Sequence, residues 1–142
     1  MRIEKYCIAV AATAALCGMG LGIFMAVNQD FTLMPAHAHL NLLGWVSMAL
    51  YGLYYRGAGL LRVRLAWVQA GVATLGFVTM TGALGALLVT LDHRYEALIG
   101  IGACLSLLAM ALFLVQVVTE ERPARARDMG PVPAGMLMVE HG

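Results

Sequence analysis

The sequence predicts an all-α membrane protein, a bundle of four transmembrane helices with both termini in the cytoplasm. Of its 142 residues, 61% are hydrophobic and only 12% are charged, whereas about 25% of the residues of a soluble domain carry charge. Four apolar runs are each near or above the ~20 residues that cross a membrane, and none contains Asp, Glu, Lys or Arg. The positive charges lie almost entirely on one side of these runs.

The predicted spans follow one another through short connections, at residues 6–27, 36–55, 65–91 and 97–119. The first has a longer apolar core than a typical signal peptide, so we expect a retained helix. Pro, Gly and mixed charge without apolar periodicity after residue 119 predict a flexible cytoplasmic tail at 120–142, following a transmembrane domain at 1–119.

The charges indicate an orientation. Arg94 is on one side of the predicted spans, and the other eight of the nine Lys and Arg residues are on the opposite side: Arg2, Lys5, Arg56, Arg62, Arg64, Arg122, Arg125 and Arg127. Because positive charge concentrates on the cytoplasmic side, we expect a multi-pass protein of the bacterial inner membrane. The second span then begins at the outer face. A net charge of +1 gives no sign of a nucleic-acid partner.

The second span opens with two histidines, His37 and His39, and an asparagine, Asn41. Ionisable side chains in hydrocarbon cost a few kcal/mol, so they usually face the bundle interior and mark a relay or a ligand site. On a helical wheel His37, Asn41 and Gly44 share one stripe, with Met48, Tyr51 and Tyr55. A glycine two turns below His37 would give a flat macrocycle room, which favours His37 as the buried ligand.

His39 falls about 200° from His37 on the same wheel. Both histidines can serve one site only if Pro35 leaves the first turn irregular, or if His39 faces a neighbouring subunit in a homo-oligomer. The third span ends at the same membrane level with His93 and Arg94. We therefore expect His37 and His93 to approach each other if the second and third spans are antiparallel neighbours.

Two ligands suit these residues. Two neutral imidazoles on facing helices can ligate haem iron axially, with Arg94 pairing a propionate. Alternatively His37, His39 and His93 bind copper or zinc, with Asp92 or Met34 as a further ligand. A third hypothesis is a structural membrane subunit without a cofactor, whose histidines contact a partner.

The segment AHAHLNLLGW at 36–45, followed by YGLYYR at 51–56, resembles helix II of the haem-copper oxidase superfamily, the large subunits of cytochrome c oxidases and nitric oxide reductases. In that family the helix runs from outside to inside, and a histidine near its outer end ligates the low-spin haem. The AHA triplet around His37 is similar to the oxidase version. His39-Leu40-Asn41-Leu42-Leu43 is similar to the reductase version, so the two alignments differ in the ligand.

The resemblance implies a haem b site at His37 or His39. It also implies a role in electron transfer with a respiratory-chain partner, or in redox or haem sensing. The complete family site needs more histidines than this chain places in or near the membrane. Reduction of oxygen or nitric oxide by a single chain is therefore not expected.

Overall fold

The computed structural model describes residues 1–57 and 63–119, and all regular structure in these two ranges is helical. The all-α prediction is confirmed. Three helical stretches are long and apolar enough to cross a membrane, namely Ile3–Asn28, Val63–Thr90 and His93–Thr119. The tail predicted at 120–142 lies outside the described residues.

The described residues form four helices. Helix α1 is Ile3–Asn28, α3 is Val63–Thr90, and α4 is Glu96–Thr119, preceded by a 3-10 turn at His93–Tyr95. Helix α2 consists of three segments without a break, an α-helical Met34–His39, a π-helical Leu40–Ser47 and an α-helical Met48–Gly57. Each predicted span coincides with one helix to within a few residues.

The ends of the helices have local causes. Helix α1 stops where Gln29 adopts a left-handed backbone, with φ of 53°. Pro35 lies in the first turn of α2, where its missing N–H costs no hydrogen bond. A second left-handed residue, Leu91 with φ of 56°, directly follows α3.

Helices α1 and α2 form an antiparallel pair, the first hairpin, in contact through glycines. A Cβ added to Gly18 would lie 2.5 Å from Oδ1 of Asn41, and one added to Gly22 would lie 3.2 Å from Cε1 of His37. Near the other end of the hairpin, Gly52 approaches Ile8 in the same way. Small residues permit this close approach where lipid supplies no hydrophobic driving force between helices.

Helices α3 and α4 form the second antiparallel hairpin, and here the helices touch backbone to backbone. A Cβ on Gly76 would lie 2.8 Å from the backbone nitrogen of Ser106, and one on Gly102 would lie 2.5 Å from that of Met80. The buried stripe predicted for α2 is confirmed at Gly44 and, further along, at Met48, Tyr51 and Tyr55. This stripe faces α1 and the second hairpin.

Candidate functional site

The antiparallel hairpins give the bundle two ends. The histidine end comprises the last turns of α1 and α3, the first turns of α2 and α4, and the turn at His93–Tyr95 that joins α3 to α4. The glutamine end comprises the opposite ends of the same helices, with Gln69 and Gln116. The sequence-predicted site residues all belong to the histidine end or, in the case of Gly44, to the turns below it.

His37 is held inside the first hairpin. Its Nε2 lies 3.2 Å from Nδ2 of Asn41, and the same Nδ2 donates to the His37 carbonyl oxygen at 3.0 Å. Because an amide N–H only donates, Nε2 is the acceptor and Nδ1 carries the ring proton. Nδ1 is buried and has no hydrogen-bond partner. His37 and Asn41 thus form a polar pair against Gly22 and Gly18 of α1.

His39 carries its ring proton on the same nitrogen, but here the protonated Nδ1, and not Nε2, is the hydrogen-bonded atom. Its Nδ1 donates to the carbonyl oxygen of Pro35 at 2.8 Å, one turn earlier in α2. This bond assigns the proton to Nδ1 and leaves the lone pair on Nε2. A bond from Nδ1–H to a backbone carbonyl is the arrangement that typically orients a metal-ligating histidine. Of the two histidines in α2, His39 therefore presents the nitrogen that can ligate.

A groove of about 500 Å³ separates the two hairpins at the histidine end. It is lined by residues of α1, α2 and α3 and by Leu33, which precedes α2, namely Leu21, Leu33, Ala36, Leu40, Thr81, Gly82, Gly85, Ala86, Val89 and Thr90. The hydroxyls of Thr81 and Thr90 donate to carbonyls of their own helix, so the lining is almost entirely apolar. His39 follows Ala36 by three residues, and residues at this spacing are neighbours on a helix surface.

The predicted site residues beyond α3 lie in an exposed turn. His93, whose side chain is 84% exposed, donates from Nδ1 to Oε1 of Glu96 at 2.7 Å. Arg94, 90% exposed, forms an ion pair with Asp92, its Nη2 lying 2.7 Å from Oδ2. Hydrogen bonds from the Arg94 side chain and backbone hold the pKa of the Asp92 carboxyl below its ordinary value. Both side chains are thus paired with carboxylates of their own turn.

The structure brings His37 and Asn41 together. The space beside Gly44 is taken up by α1 and α3, since an added Cβ would lie 2.9 Å from Cβ of Ala14 and 3.0 Å from Cε2 of Phe77. In residues 1–57 and 63–119, no three His, Cys, Asp or Glu side chains are grouped to hold a metal ion.

Sequence reasoning missed a buried polar cluster at the glutamine end. Gln69 and Gln116 are 0% and 1% exposed. Tyr55 donates from its hydroxyl to Oε1 of Gln69 at 2.8 Å and accepts from Nε2 of Gln116 at 3.2 Å. Gln69 also donates to the carbonyl oxygen of Ala109 at 3.3 Å. The signal was an amide side chain within each of two apolar runs, which a search for charged residues passes over.

Comparisons of the chain with protein-family models, with curated proteins and with solved structures found no match. The resemblance to helix II of the haem-copper oxidases therefore depends on residues 36–45 and 51–56 alone. The contacts of the histidine end are the further basis for a functional hypothesis.

Proposed function

We propose that this chain is a four-span inner-membrane protein that binds haem b at its histidine end and serves in electron transfer or in redox or haem sensing. The observation that carries the proposal is the bond from Nδ1 of His39 to the Pro35 carbonyl. It leaves Nε2 as the free nitrogen of a side chain three residues after Ala36, which lines an apolar groove. The resemblance of 36–45 to a haem-binding helix supports the same ligand chemistry.

Helix α2 is the proposed fourth span. Its segments of 6, 8 and 10 residues continue one another without a gap, so its backbone groups can be satisfied within the helix, as a membrane interior requires. It is antiparallel to α1 along its length, from His37 beside Gly22 to Gly52 beside Ile8. An even number of spans agrees with the charge asymmetry, which favours cytoplasmic termini.

The surroundings of the two histidines favour His39 over His37 as the primary ligand. To ligate through Nε2, His37 would have to give up its contact with Asn41, and its ring is enclosed by α1 at Gly22. His39 needs no such change. His93 is the proposed second ligand, because its Nδ1 bond to Glu96 leaves Nε2 available in the same way.

The test is the absorption spectrum of the chain purified in mild detergent from haem-replete cells. We expect haem b with a sharp reduced α band, as six-coordinate low-spin iron gives. His39→Ala should abolish haem binding, while the matched variant His37→Ala should retain it. His93→Ala should retain the haem and convert it to a five-coordinate, high-spin form.

Other outcomes assign a different function. A colourless protein with stoichiometric copper or zinc by elemental analysis would favour a transition-metal site on the same histidines. A colourless protein without metal would favour a structural subunit whose partner is another membrane protein. Loss of haem only in His37→Ala would mean that the oxidase-like alignment identifies the ligand.

A further inference from the structure

We infer that the glutamine end binds the phosphate headgroup of an anionic phospholipid, at a site made by Lys5 of α1 and by Arg64 and Trp67 of α3. The site joins the two hairpins, because α1 belongs to the first and α3 to the second. It lies at the opposite end from the histidines and goes beyond the proposed function, on which it does not depend.

A contact between the rings of Tyr6 and Trp67 holds the first turns of α1 and α3 side by side. The ring centroids are 5.3 Å apart at an interplanar angle of 47°, and the Tyr6 hydroxyl donates to Oγ1 of Thr74 at 3.0 Å. Lys5 directly precedes Tyr6. Arg64 precedes Trp67 by three residues, a spacing of neighbours on a helix surface. Both cations therefore lie within about one turn of the ring pair.

The polar groups without a partner at this place are all donors. Among the described residues, the Lys5 ammonium and the Arg64 guanidinium form no ion pair or side-chain hydrogen bond, and the indole N–H of Trp67 has no acceptor. All three side chains are exposed. The carboxylate of Glu4, next to Lys5 in the chain, is paired with Arg2. A phosphodiester satisfies these donors, because it carries negative charge and several acceptor oxygens.

An exposed apolar stripe continues from Arg64 along α3 into the membrane-spanning part of the helix. It follows Arg64 by 4, 7, 11 and 14 residues, the spacing of one helix face, and comprises Val68, Gly71, Leu75 and Val78. A Cβ added to Gly71 would meet no atom within 4 Å, so no described helix covers the stripe there. A headgroup bound at Arg64 thus has room for its acyl chain along α3. A free phosphate ion would use the cations alone, which favours the lipid.

The charges select the class of headgroup. Arg2 and Glu4 compensate each other, which leaves Lys5 and Arg64 as a net positive pair. A zwitterionic headgroup brings a cation of its own to this pair, whereas phosphatidylglycerol brings only negative charge. Anionic lipids are attracted by Lys and Arg near the membrane surface, and Trp and Tyr rings are typical of the headgroup level. The site therefore fits an anionic phospholipid better than a zwitterionic one.

The experiment uses Trp67 as its own reporter. The chain has two tryptophans, so Trp45→Phe leaves Trp67 alone. The protein is reconstituted in bilayers of phosphatidylcholine and phosphatidylglycerol, one of them brominated, and the quenching of tryptophan fluorescence gives the relative affinity of the two lipids beside the indole. We expect phosphatidylglycerol to be favoured about fivefold or more. In the matched variant Trp67→Phe, the exposed Trp45 of α2 should show no preference.

Two variants with the same change of net charge distinguish a site from a diffuse surface potential. In the Trp45→Phe background, Arg64→Gln should lower the preference at Trp67 by about threefold, and adding Lys5→Gln should abolish it. Arg56→Gln removes one charge from the same end, in the last turn of α2, and should leave the preference unchanged. All three altered side chains are exposed, so folding should be preserved. Equal quenching by brominated phosphatidylcholine alone checks this.

Three results would overturn the inference: no preference for phosphatidylglycerol at Trp67, the same preference at Trp45, or an equal loss in Arg56→Gln and Arg64→Gln. Millimolar inorganic phosphate should leave the quenching unchanged, because the ion has no acyl chain. If it abolishes the preference, free phosphate is the ligand and the lipid site is overturned. None of these outcomes depends on whether the protein binds haem.

Discussion

The two ends of the bundle differ in how the hairpins are joined. At the glutamine end, side-chain hydrogen bonds cross between the hairpins, from Tyr55 to Gln69 and from Gln116 to Tyr55. At the histidine end, the bonds stay within one hairpin, as between Asn41 and His37. Among the described residues no side-chain hydrogen bond crosses the groove. One end of the bundle is closed by polar contacts and the other is left open.

The difference between the two ends shows how a small membrane bundle can be held together at one end and stay open at the other. Helices in lipid gain no hydrophobic energy by associating, so packing and hydrogen bonds must hold them together. The glutamine end supplies both, since Phe113 of α4 lies against Tyr51 and Tyr54 with ring centroids 4.7 and 5.1 Å apart. With the hairpins fixed there, the other end can retain a groove.

The largest expected effect tests whether α3 and α4 are tightly packed against each other, so that the open end is open only in the groove between the two hairpins. Gly102→Ala should destabilise the protein by about 2–3 kcal/mol, because the added Cβ would lie 2.5 Å from the backbone nitrogen of Met80. The measurement is the free energy of unfolding by detergent titration. Gly100→Ala, where an added Cβ meets no atom within 4 Å, is the control. Equal stability of the two variants would mean that the second hairpin is loose as well.

A smaller effect tests the polar contacts of the closed end. Gln69→Leu removes the acceptor for Tyr55 and the donor to Ala109, which should cost about 1–2 kcal/mol of unfolding free energy. Gln116→Leu should cost less, since it also removes Oε1, a buried acceptor without a partner whose burial itself costs about 1–3 kcal/mol. The prediction fails if Gln116→Leu is the more damaging change.

Run length and charge placement predicted the helices well, because the thickness of the hydrocarbon fixes how long an uncharged helix must be. The π-helical segment Leu40–Ser47 could not be predicted. An α-helix and a π-helix can be built from the same residues and differ in which carbonyl each N–H bonds. The arrangement of the hairpins could not be predicted either, because lipid-facing and buried positions are both apolar in this chain.

The candidate site was predicted only in part, because some of its features depend on a backbone group and on the position of the first hairpin. Four-residue spacing indicated that His37 and Asn41 share a face, and the structure pairs them. The choice of ring nitrogen for His39 depends on the Pro35 carbonyl, a backbone group with no counterpart in a residue pattern. Gly82 and Gly85 line a groove, and this depends on the position of the first hairpin, which the residue pattern does not give.

The smallest expected effect lies in the exposed turn at the rim of the open end. The Asp92 carboxyl accepts bonds from the side chain and backbone of Arg94, which lower its pKa from the ordinary 3.8. A lowered pKa means that the charged form stabilises the folded turn above pH 3.8, and this contribution is lost as the pH falls through the folded value.

Because the pair is exposed to solvent and salt, we expect a local change and no global unfolding. Carboxyl chemical shifts in micelles should give an Asp92 midpoint below 3.8 that rises toward 3.8 in Arg94→Gln, which removes the side-chain bonds and keeps the backbone bond. A midpoint already at 3.8 in the parent protein would mean that Arg94 is not held by Asp92. In the haem-loaded protein the Asp92 midpoint should rise, because a propionate would then take its place on the guanidinium.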